Sequence, residues 1–485
     1  MSLSLKNIEE IHSYTDSDND SDSLSVSSDE FDYQADNIEI AGEILKGQYA
    51  IIKKIGKGSY ANVWLAYDIM SNSYVAIKVQ HPDNFKEGVE EINFLRRIKP
   101  YRCEFINNLL DAFIEVRREN KQKKKYICMV CELLAGNLYD IIQEGTYAQG
   151  LPLATVRSIS VQLFKGLNIM HNELKAYHAD LKPENILIKG VSRKNQEIID
   201  AYTNLDFQSE YKKNREEVLK LKNVDPQNKA KVKKVLTSKL KKRIKNKIHK
   251  DFMQKLENFI LDDSSSSDEE EFSSDEEVLS EDEEEVIVLS DDDSENESED
   301  SDDDSEISIE DKIDIQYIET CNIKISDFGS ICYDGEEFED DFGTRYYRAP
   351  EIILGHIYDK SCDIWSLGCV IFELLTGDLL FDPKKDKENN RDMQHLYWIQ
   401  QLCGKFSKSF LNKCDKRKMF FDKKNNLPKI AEIQPWKLSQ VLKENYNLEG
   451  PEIDKIIDLL DKMLIPEPKK RIDVKSCLNH PFIKG

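Results

Sequence analysis

Long apolar runs are missing from this chain. No stretch reaches the ~18 apolar residues that a membrane-spanning helix needs, and no charged leader runs into an apolar segment at the start. The sequence therefore predicts a protein of the cytoplasm, the nucleus or both, with no membrane partner. Cysteine is sparse. Ten are scattered over 485 residues, and no histidines cluster at metal-ligand spacing. Cys128 and Cys131 share one strand-like run, which suits a buried sheet better than zinc, so reduced thiols are expected. Positive charge is missing from one long segment. Between Asp262 and Glu310 stand about 26 Asp and Glu and no Lys or Arg, enough to supply the whole net charge of −24. The acidity thus describes a segment and not a folded surface. Apolar residues are also scarce in residues 1–42, which are too rich in Ser, Asp and Glu to bury surface that offsets chain entropy, and disorder is predicted there.

What is present is a series of short motifs in a fixed order. His178 to Asn185 reads H-A-D-L-K-P-E-N, ahead of an apolar strand at 186–188. Asp180 offers a carboxylate for a hydroxyl proton, Lys182 a cation for a moving phosphate, and Asn185 an oxygen for a metal ion. Phosphoryl transfer needs those three together. Upstream, a strand-like run from Tyr49 ends in Ile55-Gly56-Lys57-Gly58-Ser59-Tyr60-Ala61-Asn62-Val63. Glycines let a hairpin close over phosphates and Val63 can cap an adenine ring, although Ala61 replaces the third glycine and, taken alone, a plain hairpin turn is the better explanation. Lys78 is a lone cation in the apolar strand Y-V-A-I-K-V and needs an anion. The helix predicted over 84–98 supplies Glu91. Tyr126 to Leu134 reads as the next strand, with backbone groups of Glu132 and Leu134 placed for adenine and Asn137 for ribose. An ordinary buried strand accounts for these residues equally, and only the order of elements favours the hinge.

A second loop, Ile323-Lys324-Ile325-Ser326-Asp327-Phe328-Gly329, again follows an apolar strand. Asp327 is a metal candidate and Phe328 is expected to pack inward. Ala349-Pro350-Glu351 comes next, and Glu351 needs a buried cation, for which Arg471 is placed. Asp363 to Gly368 opens a long apolar helix.

Residues 43–190 and 312–485 resemble the eukaryotic protein kinases. Arg345-Tyr346-Tyr347-Arg348-Ala349-Pro350-Glu351 marks the CMGC group of cyclin-dependent, MAP, dual-specificity Tyr-regulated and SR-protein kinases. Ile127-Cys128-Met129-Val130, Phe420-Phe421 with Pro435-Trp436, and a long insert in the catalytic core are most similar to the SR-protein kinases (SRPK). The resemblance implies an α+β bilobal fold with a β-rich N-lobe and a mostly helical C-lobe. It implies ATP and Mg2+ as cofactors, Ser/Thr of protein substrates as acceptors, and Arg348 as a brace for the activation segment. Two departures stand out. Ala179 replaces the usual Arg before the catalytic Asp, and Glu339-Asp340-Asp341 stand where MAP kinases carry a phosphosite. Both imply activity without loop phosphorylation. A basic, Arg/Ser-rich substrate needs a negative groove. The region near Asp392 carries Met393, Gln394 and Gln401, with Lys384 and Lys385 beside it, so it is thinly acidic. Two alternatives remain: a dual-specificity kinase autophosphorylating on Tyr346 or Tyr347, and a pseudokinase scaffold, against which the complete residue set argues.

The insert spans residues 191–311. Lengthening a loop from roughly 5 to roughly 135 residues costs only about 3 kcal/mol, tolerable for a folded domain. Its first half is Lys-rich, and Lys239 to Lys245 reads either as a solvated helix face or as a nuclear import signal. Its second half is the acidic run, where disorder and acid-directed phosphorylation are expected. Val286-Ile287-Val288-Leu289, flanked by acids, resembles a SUMO-binding strand, with chance the competing explanation. No direct nucleic-acid partner is expected, and residues 195–310 are expected to be dispensable for catalysis.

Overall fold

The computed structural model describes residues 38–58, 60–119, 122–143, 147–261, 321–335, 342–384, 391–427 and 434–485. Alternating apolar residues in the first part build an antiparallel six-stranded sheet of order β1-β2-β3-β4-β6-β5. The strands are β1 (Ile44–Leu45), β2 (Tyr49–Lys57), β3 (Ala61–Asp68), β4 (Ser73–Gln80), β5 (Leu109–Glu119) and β6 (Gln122–Glu132). Helix α1 (Phe85–Ile98) buries Val89, Ile92 and Leu95 in one cluster with Ile127 and Met129.

Register decides what each face carries, because directly paired residues lie on one face. Val63 pairs with Lys78, Leu65 with Ala76, Tyr67 with Tyr74, and Lys78 with Met129. One face therefore holds Val63 and Lys78 at one end and Leu65, Tyr67 and Tyr74 at the other. The opposite face buries Trp64, Ala66, Val75 and Ile77 against Tyr126, Cys128 and Val130.

After β6 the chain forms β7 (Gly136–Asn137), α2 (Leu138–Gln143) and α3 (Leu153–Asn168), then β8 (Ala176–Tyr177) and β9 (Ile186–Ile188). The insert leaves after β9 and returns at β10 (Ile323–Ile325), which pairs with β9 from Ile188↔Ile323 to Ile186↔Ile325. Lys189 N–H donates to the Asn322 carbonyl at 2.8 Å, closing the neck. The long excursion thus leaves this antiparallel pair in register.

The first half of the insert is more than a solvated Lys-rich face, because it packs on the sheet. It folds into α4 (Arg193–Asn204), α5 (Phe207–Leu221), α6 (Lys229–Val235) and α7 (Ser238–Leu261). Ile198, Tyr202, Phe207, Ile244, Ile248, Phe252 and Leu256 are buried against Ala50, Ile52, Leu65 and Tyr67 of the sheet. Aromatic rings fill the seam, with centroids of Tyr67 at 5.4 Å from Tyr202 and 5.7 Å from Phe207. His249 is buried in that seam. Its Nε2 lies 2.9 Å from the Ile51 carbonyl and must donate there, so Nδ1 accepts from the Tyr202 hydroxyl at 3.0 Å. Burial pushes this imidazole down to about 4, so it is neutral at pH 7. The Lys239–Lys245 run belongs to α7, with Ile244 turned inward and most of its cations exposed. The acidic run lies outside the described residues, and so does Val286–Leu289.

The last part of the chain is helical. Short α8 (Pro350–Ile353) precedes α9 (Ser361–Thr376), nearly all of which is buried. Helix α10 (Arg391–Cys403) and the shorter C-terminal helices surround α9. The two lobes meet where β6 runs into β7, and Ala135 N–H donates to Ile188 at 2.9 Å there.

Candidate active site

Lys78 brings two lobes' worth of charge to one point. Its Nζ lies 2.8 Å from Glu91 and 2.7 Å from Asp327. Burial alone would lower the pKa of this ammonium, but the two carboxylates outweigh it and hold it above its ordinary value. Lys78 in turn keeps the Asp327 carboxyl below its usual range. Glu91 also accepts from the Phe328 amide at 3.3 Å. Phe328 is fully buried, 4.6 Å from the Phe94 ring and 5.2 Å from His178.

The loop before β9 is held by a residue far along the chain. One oxygen of Asp363 accepts the His178 amide at 2.8 Å and the other the Ala179 amide at 2.9 Å. His171 Nε2 lies 2.8 Å from the same carboxylate. Ala179 and Asp327 both have positive φ, 68° and 62°. A side chain in that region costs on the order of 1 kcal/mol or more, so the surrounding hydrogen bonds must hold the two residues there.

Asp180 is fixed from three sides. Its Oδ1 accepts from the Thr344 amide at 2.7 Å and the Thr344 hydroxyl at 2.8 Å. Its Oδ2 lies 3.1 Å from Lys182, which also donates to the Thr344 hydroxyl at 2.8 Å. Asn185 donates through Nδ2 to the Asp180 carbonyl at 2.9 Å, which leaves its amide oxygen for another ligand.

The glycine loop is a tight hairpin. Gly56 pairs with Val63 and Lys57 with Asn62, and Gly58 N–H donates to Ala61 at 3.0 Å. Ile55 is half-buried and Tyr60 exposed, while Ser59 lies outside the described residues. At the hinge, Leu134 is buried, and the Glu132 carboxylate lies 2.5 Å from Lys324 and accepts from Asn108. Asn137 lies at the start of α2. Its amide oxygen accepts from the Asp140 amide at 3.0 Å and so caps α2. Glu351 and Arg471 form a fork of two bonds, 2.7 and 2.9 Å, with both side chains fully buried. Arg348 donates to the Gly343 carbonyl at 2.8 Å. Glu339, Asp340 and Asp341 lie outside the described residues, as does Lys385. Asp392 is engaged by Arg345 of the activation segment.

Sequence reasoning missed Thr344, because nothing local marks a threonine that bridges Asp180 and Lys182. It also missed the pair Glu184 and Glu373. Glu373 is fully buried on α9, with Oε2 accepting from the Tyr347 hydroxyl at 2.7 Å and Oε1 without a partner among the described residues. Glu184 likewise has a buried, unpartnered Oε2. Burial, then Glu184 and Asp378, push Glu373 up to about 7 against the pull of Tyr347. Burial also raises Glu184.

Among the described residues no group of three or more His, Cys, Asp and Glu could hold a metal unaided. Asp327 with the Asn185 amide oxygen fits instead a Mg2+ that takes one or two protein oxygens and completes its shell from substrate phosphates. No helix among the described residues is long and apolar enough to cross a membrane.

The protein kinase domain model matches residues 49–201 and 313–483, the two blocks on either side of the acidic run. Serine/threonine-protein kinase SRPK of Physarum polycephalum is 31% identical over 91% of this chain and 87% of its own length. Human SRSF protein kinase 3 is 28% identical over 91% and 87%, and SKY1 of Saccharomyces cerevisiae 28% over 90% and 74%. Those alignments run through both lobes, and the matched blocks carry every charged group just described around Asp180 and Lys78. The chain belongs to the protein kinase family and, within it, to the serine/threonine kinases of the SRPK type.

Proposed function

We propose that Asp180, Lys182, Asn185, Asp327, Lys78 and Glu91 carry ATP- and Mg2+-dependent phosphoryl transfer to serine or threonine flanked by arginine. The observation behind the chemistry is the network on Asp180. Thr344, Lys182 and Asn185 fix its carboxylate, so it can accept a proton from an acceptor hydroxyl seated beside it. Lys182 and Lys78 stand ready to balance phosphate charge, mostly electrostatically. Asp327 and Asn185 would hold a Mg2+ that would screen phosphate charge, and ATP would be the phosphoryl donor. Ile55, the hairpin from Gly56 to Val63, and the backbone of Glu132 and Leu134 enclose the nucleotide.

Arginine next to the acceptor is supported by Glu184 and Glu373 rather than by α10. Glu184 is four residues from Asp180, and Glu184 and Glu373 each have a buried oxygen without a donor among the described residues. A planar guanidinium has five donors and can serve two carboxylates at once. Similarity to relatives named SRPK and SRSF protein kinase 3 supports that substrate class.

The test is turnover on serine peptides with labelled ATP. Wild type should phosphorylate an arginine-flanked peptide better than its alanine counterpart. Asp180→Asn should lose about 10²- to 10⁴-fold in kcat while nucleotide Kd stays within a few-fold. Wild-type-like turnover by Asp180→Asn would overturn the assignment.

A further inference from the structure

A groove of about 470 Å³ lies between α7 and the turn leading into β2. Its walls are residues 42–47, Glu115, and Lys242, Asn246 and Lys250 of α7. Spacing by four places those three α7 residues in one row. The other charges of the groove are largely matched. Glu43 holds Arg117 at 3.0 and 2.7 Å, and Lys46 holds Asp111 at 2.6 Å. Lys242 and Lys250 are exposed, and neither has an ion pair or hydrogen bond among the described residues. They belong to a larger field: from Lys229 to Lys250 stand ten lysines, one arginine and no acid.

The complementary charge is on the same chain and begins where the helix stops. Helix α7 ends at Leu261, and the acidic run starts at Asp262. Lys250 lies about 16 Å back along the helix at ~1.5 Å per residue. An extended chain covers that distance in about five residues. Asp268 to Glu271 therefore reach Lys250 by doubling straight back, and Asp275 to Glu285 can reach Lys242. The tether sets an effective concentration of roughly millimolar, so even weak pairing is populated at low salt. We propose that the groove and lysine row of α7 are a docking surface for the chain's own acidic run, residues 268–285. Docking there covers a basic face that would otherwise attract other polyanions. It also ties α7, which packs beneath the sheet, to the turn before β2. Phosphorylation of Ser274 or Ser280, each followed by acids, adds charge to the docked strand and tightens it.

Zero-length carbodiimide cross-linking of the full chain, read by peptide mass spectrometry, tests the proposal. Links from Lys242 and Lys250 to acids within 268–285 are expected to dominate at low salt and to fall several-fold at 1 M NaCl. An equal mixture of light and heavy-isotope protein should give no mixed links. Acids of the run linked evenly to lysines of the large lobe such as Lys455, or linked only between molecules, would overturn it. A second readout is cleavage of the run by a Glu-specific protease. Lys242→Glu with Lys250→Glu, whose side chains are exposed, should speed it at least threefold in the folded full chain. An unchanged rate with unchanged circular dichroism would also overturn it.

Discussion

At the scale of single residues, buried Glu373, its pKa raised by burial and by half-buried Glu184, gives the sharpest pH prediction. The folded pKa of Glu373, about 7, lies above its ordinary value of 4.5. A raised carboxyl pKa contributes stability that is fully present below the unfolded value and is lost as pH rises through the folded one. Glu373→Gln keeps an acceptor for Tyr347 and removes the ionisable group. The stability of this variant relative to wild type should therefore increase between about pH 4.5 and pH 7, by on the order of 3 kcal/mol, and stay level above. Denaturant titrations at pH 5, 6, 7 and 8 measure that difference, and a flat difference would remove Glu373 as an ionising group. The same ionisation should act on substrate choice. The ratio of kcat/KM for arginine and alanine peptides should rise with pH through about 7 in wild type, and collapse towards one in Glu184→Gln and Glu373→Gln. Not all of this site was legible in the sequence. Asp180, Lys182, Asn185 and Asp327 could be read because each sits in a short motif whose spacing the chemistry requires. Thr344 acts on a loop more than a hundred and fifty residues away, and Glu373 meets Tyr347 only because α9 passes under the activation segment. Asn137 has a local use that its sequence context did not reveal, since its amide oxygen caps α2.

At the scale of elements, the two lobes could be read from strand alternation and motif order, but the insert could not. Its lysines dominated the composition and pointed to a solvated face. The contrary signal was the row Ile244, Ile248, Phe252 and Leu256, apolar at every fourth position and buried along its whole length. The expectation that residues 195–310 can all be removed has to be divided accordingly. Cutting α4 to α7 strips the cover from Ala50, Ile52, Leu65 and Tyr67, on the face of the sheet that also carries Val63 and Lys78. Phe252→Ala alone should cost about 3–5 kcal/mol, because a fully buried ring leaves a cavity among Tyr202 and Phe207. Thermal melts should show a lower Tm for Phe252→Ala and a larger drop or insolubility when 195–260 is deleted. Deleting 264–318 alone should shift Tm far less than deleting 195–260 and leave kcat within a few-fold of wild type. A melt unchanged by loss of 195–260 would mean that the helices do not support the sheet.

At the scale of the whole molecule, the question is what holds the two lobes ready to act. Contacts among the described residues link the small lobe to the catalytic loop. Lys78 joins β4 to Glu91 of α1 and to Asp327 across the cleft. Phe328 packs at a tilt on Phe94 of α1, and Arg97 at the end of α1 lies 4.6 Å over the ring of Tyr333, where the activation segment begins in β11 (Cys332–Tyr333). That strand pairs with β8, directly before the catalytic loop. Further along, Thr344 binds Asp180, and Arg345 pairs with Asp392 of α10. Tyr347 is buried with its hydroxyl on Glu373, which removes it as an exposed acceptor, whereas Tyr346 is partly exposed. Ala179 has no side chain able to grip a loop phosphate, so a phosphate would have no partner at that position. The expected outcome is that protein made in bacteria and treated with phosphatase keeps most of its kcat. Breaking the path should matter more than removing phosphate. Arg97→Ala should lower kcat/KM several-fold, because α1 loses a tie to the activation segment while the charged groups on Asp180 stay intact. Both are read by initial rates on one serine peptide, with mass spectrometry to confirm that Tyr346 and the serines carry no phosphate. Loss of activity on phosphatase treatment, restored by autophosphorylation, would show that the path is incomplete without a phosphate.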